Sequence, residues 1–194
     1  MSTKEEQELK PPAIVALGFF DGVHVGHQQI IKEMFKPAYR DLVPTVFTYQ
    51  ITSNCPNAKK NQQQILTTEE KLKKLEFLGV KQVVSPDFNE IARMSAEFFF
   101  QEWLVNRLHA QVVVCGKNFR FGHQRMGNTK LLKSLCKENN MKLVAKPLFS
   151  IAGEIVSSSL IRKLLQKQQQ SNANALLLPI HKDASNQQKK SLNT

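Results

Sequence analysis

Cysteine is scarce in this chain, with only Cys55, Cys115 and Cys136 among 194 residues. Three is an odd number, their spacing fits no metal site, and two of them sit among apolar residues. They therefore read as reduced core thiols rather than a disulfide frame or zinc ligands. Long hydrophobic runs are missing as well, and no apolar stretch approaches the ~20 residues of a membrane helix. The first twelve residues, MSTKEEQELKPP, hold neither a hydrophobic stretch nor a small-residue cleavage site, so no secretory leader is expected and a cytoplasmic protein is. Acidic residues are outnumbered: 16 Asp and Glu face 27 Lys and Arg, a net charge of +11. Such a field draws in anions, whether nucleic acid, anionic lipid or nucleotides, and charge alone does not choose among them. There is no zinc motif and no RNP-like string, and the basic residues are dispersed rather than gathered into an arm. Neither a specific nucleic-acid partner nor a membrane is expected.

What is present is a soluble globular composition, 41% hydrophobic and 22% charged, in a length that suits one domain. Five short apolar runs read as strands: AIVAL at 13–17, VPTVFTY from Val43, KQVVS from Lys81, QVVVC from Gln111 and KLVAK from Lys142. Between them lie helical patterns, from His27 to Arg40, from Thr68, from Ala96 and from Asn128. Thr67 or Thr68 opens a capping pattern with Glu69 and Glu70 in the first turn, and Gly79 stands where that helix ends. Strands alternating with helices call for right-handed crossovers and a parallel sheet covered on both faces. The expected fold class is α/β, a Rossmann-like doubly wound parallel sheet of about five core strands.

Three segments are expected: a polar lead over 1–12, a folded domain over 13–165 and a tail over 166–194. The tail holds ten Gln and Asn in 29 residues and little periodicity, which reads as disorder. It carries +3 of the net charge, leaving +8 to residues 1–165.

The strongest local feature follows the first strand directly: Gly18-Phe19-Phe20-Asp21-Gly22-Val23-His24-Val25-Gly26-His27, then a helix. In an open parallel sheet, ligands bind at the carboxyl ends of strands, and a helix start supplies free N–H groups for a phosphate. His24 and His27, three residues apart, fall on one side of a helical turn and converge on one anion. Taken singly, Asp21-Gly22 is an ordinary turn and His27 a surface residue of a first turn. Together, an HxGH tetrad arises by chance in roughly half a percent of chains with this His and Gly content, before its strand-loop-helix setting is required. Ser157, Ser158 and Ser159 precede LIRKLL, so one of them caps a helix, and Arg162 lies one turn in. A serine-capped helix start beside an arginine is also a polyphosphate cradle.

His24-Val25-Gly26-His27 resembles the signature of the cytidylyltransferase-like nucleotidyltransferases. The longer string GFFDGVHVGH resembles one branch of them, the FMN adenylyltransferase (FAD synthetase) module of prokaryotic riboflavin kinase/FAD synthetases. Two further blocks agree in the same order: Val113 to Gly122, running on to Gly127, and Val156 to Arg162. The resemblance covers about residues 13 to 165 and implies an α/β/α nucleotidyltransferase domain that moves AMP from ATP to FMN, giving FAD and pyrophosphate. It implies His24, His27 and Arg162 as catalytic residues. Gly18, Phe19, Phe20, Asp21, Gly22, Gly26, Ser158 and Ser159, again with Arg162, are implied as ATP-binding. Adenine would lie against Gly18, Phe19 and Phe20, although Phe19 or Phe20 equally suits the core, since one of the pair points inward. Asn118, Phe121, Gly122 and Arg125 would hold the flavin; read alone, Asn118 is a turn residue and Arg120 and Arg125 are solvated.

Mg²⁺ is the implied cofactor, bridging the triphosphate, and its protein ligands are not named by the sequence. A phosphate monoester is mostly dianionic at pH 7, so the acceptor needs no protein base. The chain departs from the resemblance in two places. Phe47 to Asn54 lacks the acidic residue and Pro-His-Pro that the branch carries after strand two, and the riboflavin kinase module is not found, so no riboflavin phosphorylation is expected. Two alternatives stay open: the same chemistry on a different phosphate acceptor, and a flavin- or nucleotide-binding regulatory protein with weak catalysis.

Overall fold

The computed structural model describes residues 11–51 and 64–178. Its centre is a five-stranded parallel sheet in the order β3-β2-β1-β4-β7, formed by β1 (Ala13–Leu17), β2 (Val43–Phe47), β3 (Gln82–Val84), β4 (Ala110–Gly116) and β7 (Lys142–Lys146). The five expected strands are all present. β1 is buried along its whole length because both sheet faces are covered, which is why its sequence is a continuous apolar run rather than an alternating one. Residues of opposite parity go to opposite faces. Ala13, Val15, Leu17, Val113 and Cys115 pack with Phe99, Phe100, Trp103, Leu104, Leu132 and Cys136. Ile14, Ala16, Val46, Val112 and Val114 pack with Ile31, Met34 and Leu75. The doubly wound expectation holds.

The helices are α1 (Val25–Glu33), α2 (Thr68–Phe77), α3 (Phe88–Ile91), α4 (Ala96–Phe99, continuing as a π-helix over Phe100–Arg107), α5 (Thr129–Glu138), α6 (Ser158–Gln166) and α7 (Gln170–Leu177). Polar side chains cap all of them but α7. Thr67 caps α2 in a reciprocal box with Glu70, Asn128 accepts from the N–H groups of Lys130 and Leu131, and Ser157 accepts from Leu160. Two small antiparallel hairpins, β5 (Arg120–Phe121) with β6 (Gly127–Asn128) and β8 (Ser150–Ile151) with β9 (Glu154–Ile155), stand beside the sheet.

Three expectations need correction. The helix read from His27 to Arg40 ends at Glu33; Pro37 has no N–H to continue it and instead starts a short 3-10 turn, Pro37–Tyr39. The hairpins and α3 were not expected. The tail read as disordered from 166 contains α7, whose Ala173 is fully buried. A small residue there lets the helix approach closely, which a glutamine-rich composition does not reveal. Residues 1–10 of the polar lead, residues 179–194 of the tail, and the 52–54 part of the altered loop with Cys55 lie outside the described residues. Cys115 and Cys136 are buried free thiols. Among the described residues no helix is long and apolar enough to cross a membrane.

Candidate active site

β1 and β4 are adjacent, but the connections from β1 and from β4 lead to opposite edges of the sheet, so their carboxyl ends flank the point where the strand order reverses. The β1–α1 turn and the loop after β4 meet there. The turn is buried and sharply coiled: Phe20, Gly22 and Val23 have φ of 52°, 82° and 44°. It ends on His24, whose extended backbone (φ −67°, ψ 169°) makes it the N-cap of α1. The His24 Nδ1 accepts from the His27 N–H at 3.3 Å. A neutral imidazole that accepts at Nδ1 carries its proton at Nε2, which leaves that N–H to donate elsewhere. The His24 ring folds back over position 26, where a Cβ would lie 3.2 Å from its Nδ1 and Cε1, so any side chain there displaces the ring.

The two imidazoles stack, with centroids 3.6 Å apart and planes 18° from parallel. Burial pushes His24 down to about 4, and the charge on Lys74 adds to this. Burial also holds His27 well below its ordinary value, helped by His24, Lys71 and Lys74. Two stacked rings beside two ammonium groups stay neutral at pH 7. The His27 Nδ1 is buried and has no hydrogen-bond partner among the described residues. Of the three such side-chain atoms among the described residues, with Ser85 Oγ and Trp103 Nε1, it is the one whose residue lines the first of the site's two hollows.

Lys71 and Lys74 lie on the face of α2 that meets the turn, and sequence reading missed both. Burial lowers both ammonium groups, opposed at Lys71 by Asp21. The Lys71 Nζ is 3.4 Å from the Thr48 hydroxyl and 5.3 Å from the Phe19 ring centre. Lys71 stands four residues before buried Leu75. A lysine at an apolar position of an amphipathic helix was the available signal. Asp21 is buried and already engaged: it pairs with Arg162 and accepts from the Ile65 N–H at 3.1 Å. Arg162 and Lys71 thus share the one Asp21 carboxylate while Lys74 meets only backbone carbonyls, and the surplus positive charge suits a polyanion.

Two adjoining hollows open at this rim. The first, about 210 Å³, is lined by Gly18, His24, Gly26, His27, Ser157 and Ser158, with Phe149 and Val156. The second, about 430 Å³, is lined by Phe19, Tyr49, Phe88, Phe99, Phe121, Gly122 and Arg125 among others. Gly18, Asn118 and Phe119 border both. Phe19 stacks on Tyr49 at 4.6 Å, and Tyr49 meets Phe88 at 5.1 Å, giving the second hollow flat aromatic walls.

The expected residues divide accordingly. His24, His27, Gly18, Gly26 and Ser158 line the first hollow, and Asn118, Phe121, Gly122 and Arg125 the second. Phe20 is the inward member of its pair, fully buried, with its ring 5.1 Å from that of His27. Phe19 faces the second hollow rather than the first. Asp21 and Gly22 shape the turn and line neither hollow. Ser158 donates to the Asp21 carbonyl at 3.0 Å while bordering the first hollow, and Ser159 is exposed at the start of α6. Among the described residues no group of three His, Cys, Asp or Glu is placed to hold a metal ion.

Comparison with known proteins gives a consistent set of matches. The family model described as FAD synthetase matches residues 6–160. A bifunctional riboflavin kinase/FMN adenylyltransferase of Buchnera aphidicola subsp. Schizaphis graminum is 29% identical over 175 residues, covering 88% of this chain and 56% of the relative. A putative bifunctional riboflavin kinase/FMN adenylyltransferase of Geobacillus thermodenitrificans is 30% identical over 169 residues, 86% of this chain and 90% of that one. Among solved structures, one described as a macrolide-efflux protein from Streptococcus pneumoniae superposes with a TM-score of 0.74 at 26% identity, over 89% of this chain and 57% of that chain. This chain therefore spans just over half the length of the Buchnera relative.

Proposed function

The chain belongs to the FAD synthetase family, and from that premise we propose that it transfers AMP from ATP to the phosphate of FMN, giving FAD and pyrophosphate. The observation that carries this reading is the pair of hollows sharing the Gly18, Asn118 and Phe119 wall. One has a histidine pair and a serine-capped helix start for a triphosphate, and the other has aromatic walls for an isoalloxazine ring. A reaction that joins two nucleotides through their phosphates needs its reacting groups to meet at such a wall.

The FMN phosphate, dianionic at pH 7, is already a nucleophile. One of its oxygens attacks the α-phosphorus of ATP, the bond from that phosphorus to the bridging oxygen breaks, and pyrophosphate leaves with the electron pair. No protein group has to take a proton. The chain's part is positioning and charge stabilisation. His24, through Nε2–H, and His27 donate to the α-phosphate oxygens, where negative charge grows in the transition state. Ser158, Ser159 and the N–H groups at the start of α6 hold the β- and γ-phosphates, with Arg162 oriented by Asp21.

A divalent cation fits this site as part of the substrate. Among the described residues the carboxylate at the turn, Asp21, is occupied by Arg162 and the Ile65 N–H, so Mg²⁺ would arrive with the nucleotide and supply charge neutralisation to its phosphates. In the second hollow, Phe19, Tyr49 and Phe121 pack the flavin ring, while Asn118 and Arg125 face its ribityl phosphate arm.

The test is a discontinuous assay with ATP, Mg²⁺ and FMN, separating flavins by chromatography, with the His24→Ala/His27→Ala double variant as control. FAD from the wild-type chain alone supports the assignment. No FAD from folded protein that binds ATP overturns it and moves the acceptor elsewhere.

A further inference from the structure

The turn before His24 is strained, because a β-branched residue, Val23, holds φ 44° with its side chain fully buried. Such a turn persists only if its surroundings hold it. Three successive carbonyls of the turn are each taken by a side chain from a different helix. Asp21 O accepts from the Ser158 hydroxyl of α6 at 3.0 Å, Gly22 O from the Lys74 ammonium of α2 at 3.3 Å, and Val23 O from the Gln28 amide of α1 at 3.0 Å.

Two of these donors do a second job. Lys74 also donates to Leu177 O, and the same Gln28 Nε2 donates to Leu178 O at 3.0 Å. Consecutive carbonyls of the turn are thus bridged, one to one, to consecutive carbonyls at the end of α7. Side chains close the contact from the same side: a Cβ at Gly22 would lie 3.1 Å from Leu177 Cδ2. Gly22 has φ 82°, so glycine there serves both the left-handed backbone and the seat for Leu177. The helix is anchored behind by Ala173, fully buried.

We propose that Lys74 and Gln28 are positioning residues for adenylyl transfer, and that α7 completes the active site by acting as the abutment against which they hold the Gly22-Val23 turn and hence His24. This rests on the reaction assigned above. Neither residue lines the first hollow; each acts through the turn. A segment read from its composition as a disordered tail is in this account part of the catalytic unit.

The test uses the full chain and three substitutions: Lys74→Met, Gln28→Leu and Ala173→Glu, the last to lift α7. Leu177→Asp serves the same purpose without placing a charge in the α6–α7 contact, should Ala173→Glu not fold. Expected is a fall in kcat of roughly 10- to 100-fold for each, with KM for ATP changed far less, because misplacing a reacting group by about an ångström costs that much. Lys74→Arg, which keeps a donor able to reach two carbonyls, restores a substantial part of kcat. Lys74→Met combined with the α7 variant is no worse than the poorer single variant within a factor of about 2 to 3, since both break one linkage. The imidazole NMR signals of His24 and His27 shift in every variant that lowers kcat. Wild-type kcat in a folded α7 variant overturns the proposal, as do losses that simply multiply in the combination. If the wild-type chain makes no FAD at all, the assigned reaction fails on its own. The positioning role is then decided by the imidazole signals of the same variants, and unchanged signals overturn it.

Discussion

Asp21 and Arg162, 141 positions apart in sequence, form a buried ion pair that fastens the β1–α1 turn to α6 one turn in from its start. The pair joins the two motifs that the sequence shows separately, the glycine-histidine loop and the serine-arginine helix start, into one site. Asp21→Asn removes the negative partner of a guanidinium that is itself largely buried. Breaking such a pair from one side is expected to cost on the order of 3–5 kcal/mol, read as a lower urea midpoint with an unchanged m-value. kcat falls as well, because Arg162 loses the group that aims it. Unaltered stability would mean the pair is held in place without contributing.

His27→Ala is expected to keep the fold and lose transfer. The His27 ring stacks on His24 and leaves Nδ1 without a partner, so its removal deprives the protein of little. Loss of one donor to a developing charge costs ~10²- to 10³-fold in kcat. Steady-state kinetics beside a circular dichroism melt check both halves of the statement. Unchanged turnover would remove the histidine pair from the chemistry.

Gly26→Ala separates helix propensity from site geometry. Alanine is the better helix former by ~1 kcal/mol, so stability is expected to hold or rise slightly. Its Cβ would meet the His24 ring at 3.2 Å, and the ring must tilt off its stacked partner. A drop in kcat of at least ~10-fold is expected, since small displacements of positioned groups cost this much. A variant as active as wild type would show that the stack tolerates displacement.

Acidification weakens the fold through the same pair. His24 is held down at about 4 and His27 well below its ordinary value, both chiefly by burial. The unfolded chain takes up these protons near pH 6.5 and the native chain does not, so stability is fully present above pH 6.5 and is lost as pH falls toward 4. For His24 alone the loss is on the order of 3 kcal/mol. Urea midpoints at pH 7.5, 6 and 5 measure it, and His24→Ala flattens the slope over that window. An equal slope in the variant would assign the acid sensitivity to other groups.

Much of this was legible in the sequence because the physics was local or periodic. β1 reads as doubly buried from five apolar residues in a row, and α2 reads at both ends, from the Thr67–Glu70 box to Gly79 after its C-cap. Gly26 between two histidines reads as an open surface flanked by imidazoles, whereas the structure folds the His24 ring back over it. The rest depended on contacts between distant segments. Nothing near Lys74 signals that its ammonium meets carbonyls at 22 and 177, and nothing in QSNANALL signals a docking surface beyond the single small residue Ala173. The paired residues β5–β6 and β8–β9 are too short for any period to show. Phe19 and Phe20 were indistinguishable by composition, and only the left-handed backbone at Phe20 decides which turns inward.

The wall of Gly18, Asn118 and Phe119 between the two hollows has a kinetic corollary. On the proposed reaction each substrate would touch one side of it, whereas the joined dinucleotide would lie across it and grip both sides at once. A single molecule making both sets of contacts gives up its freedom only once, so its residence time exceeds that of either substrate. On the proposed reaction, FAD would therefore compete with both substrates at once, and accumulated product would slow the enzyme that made it.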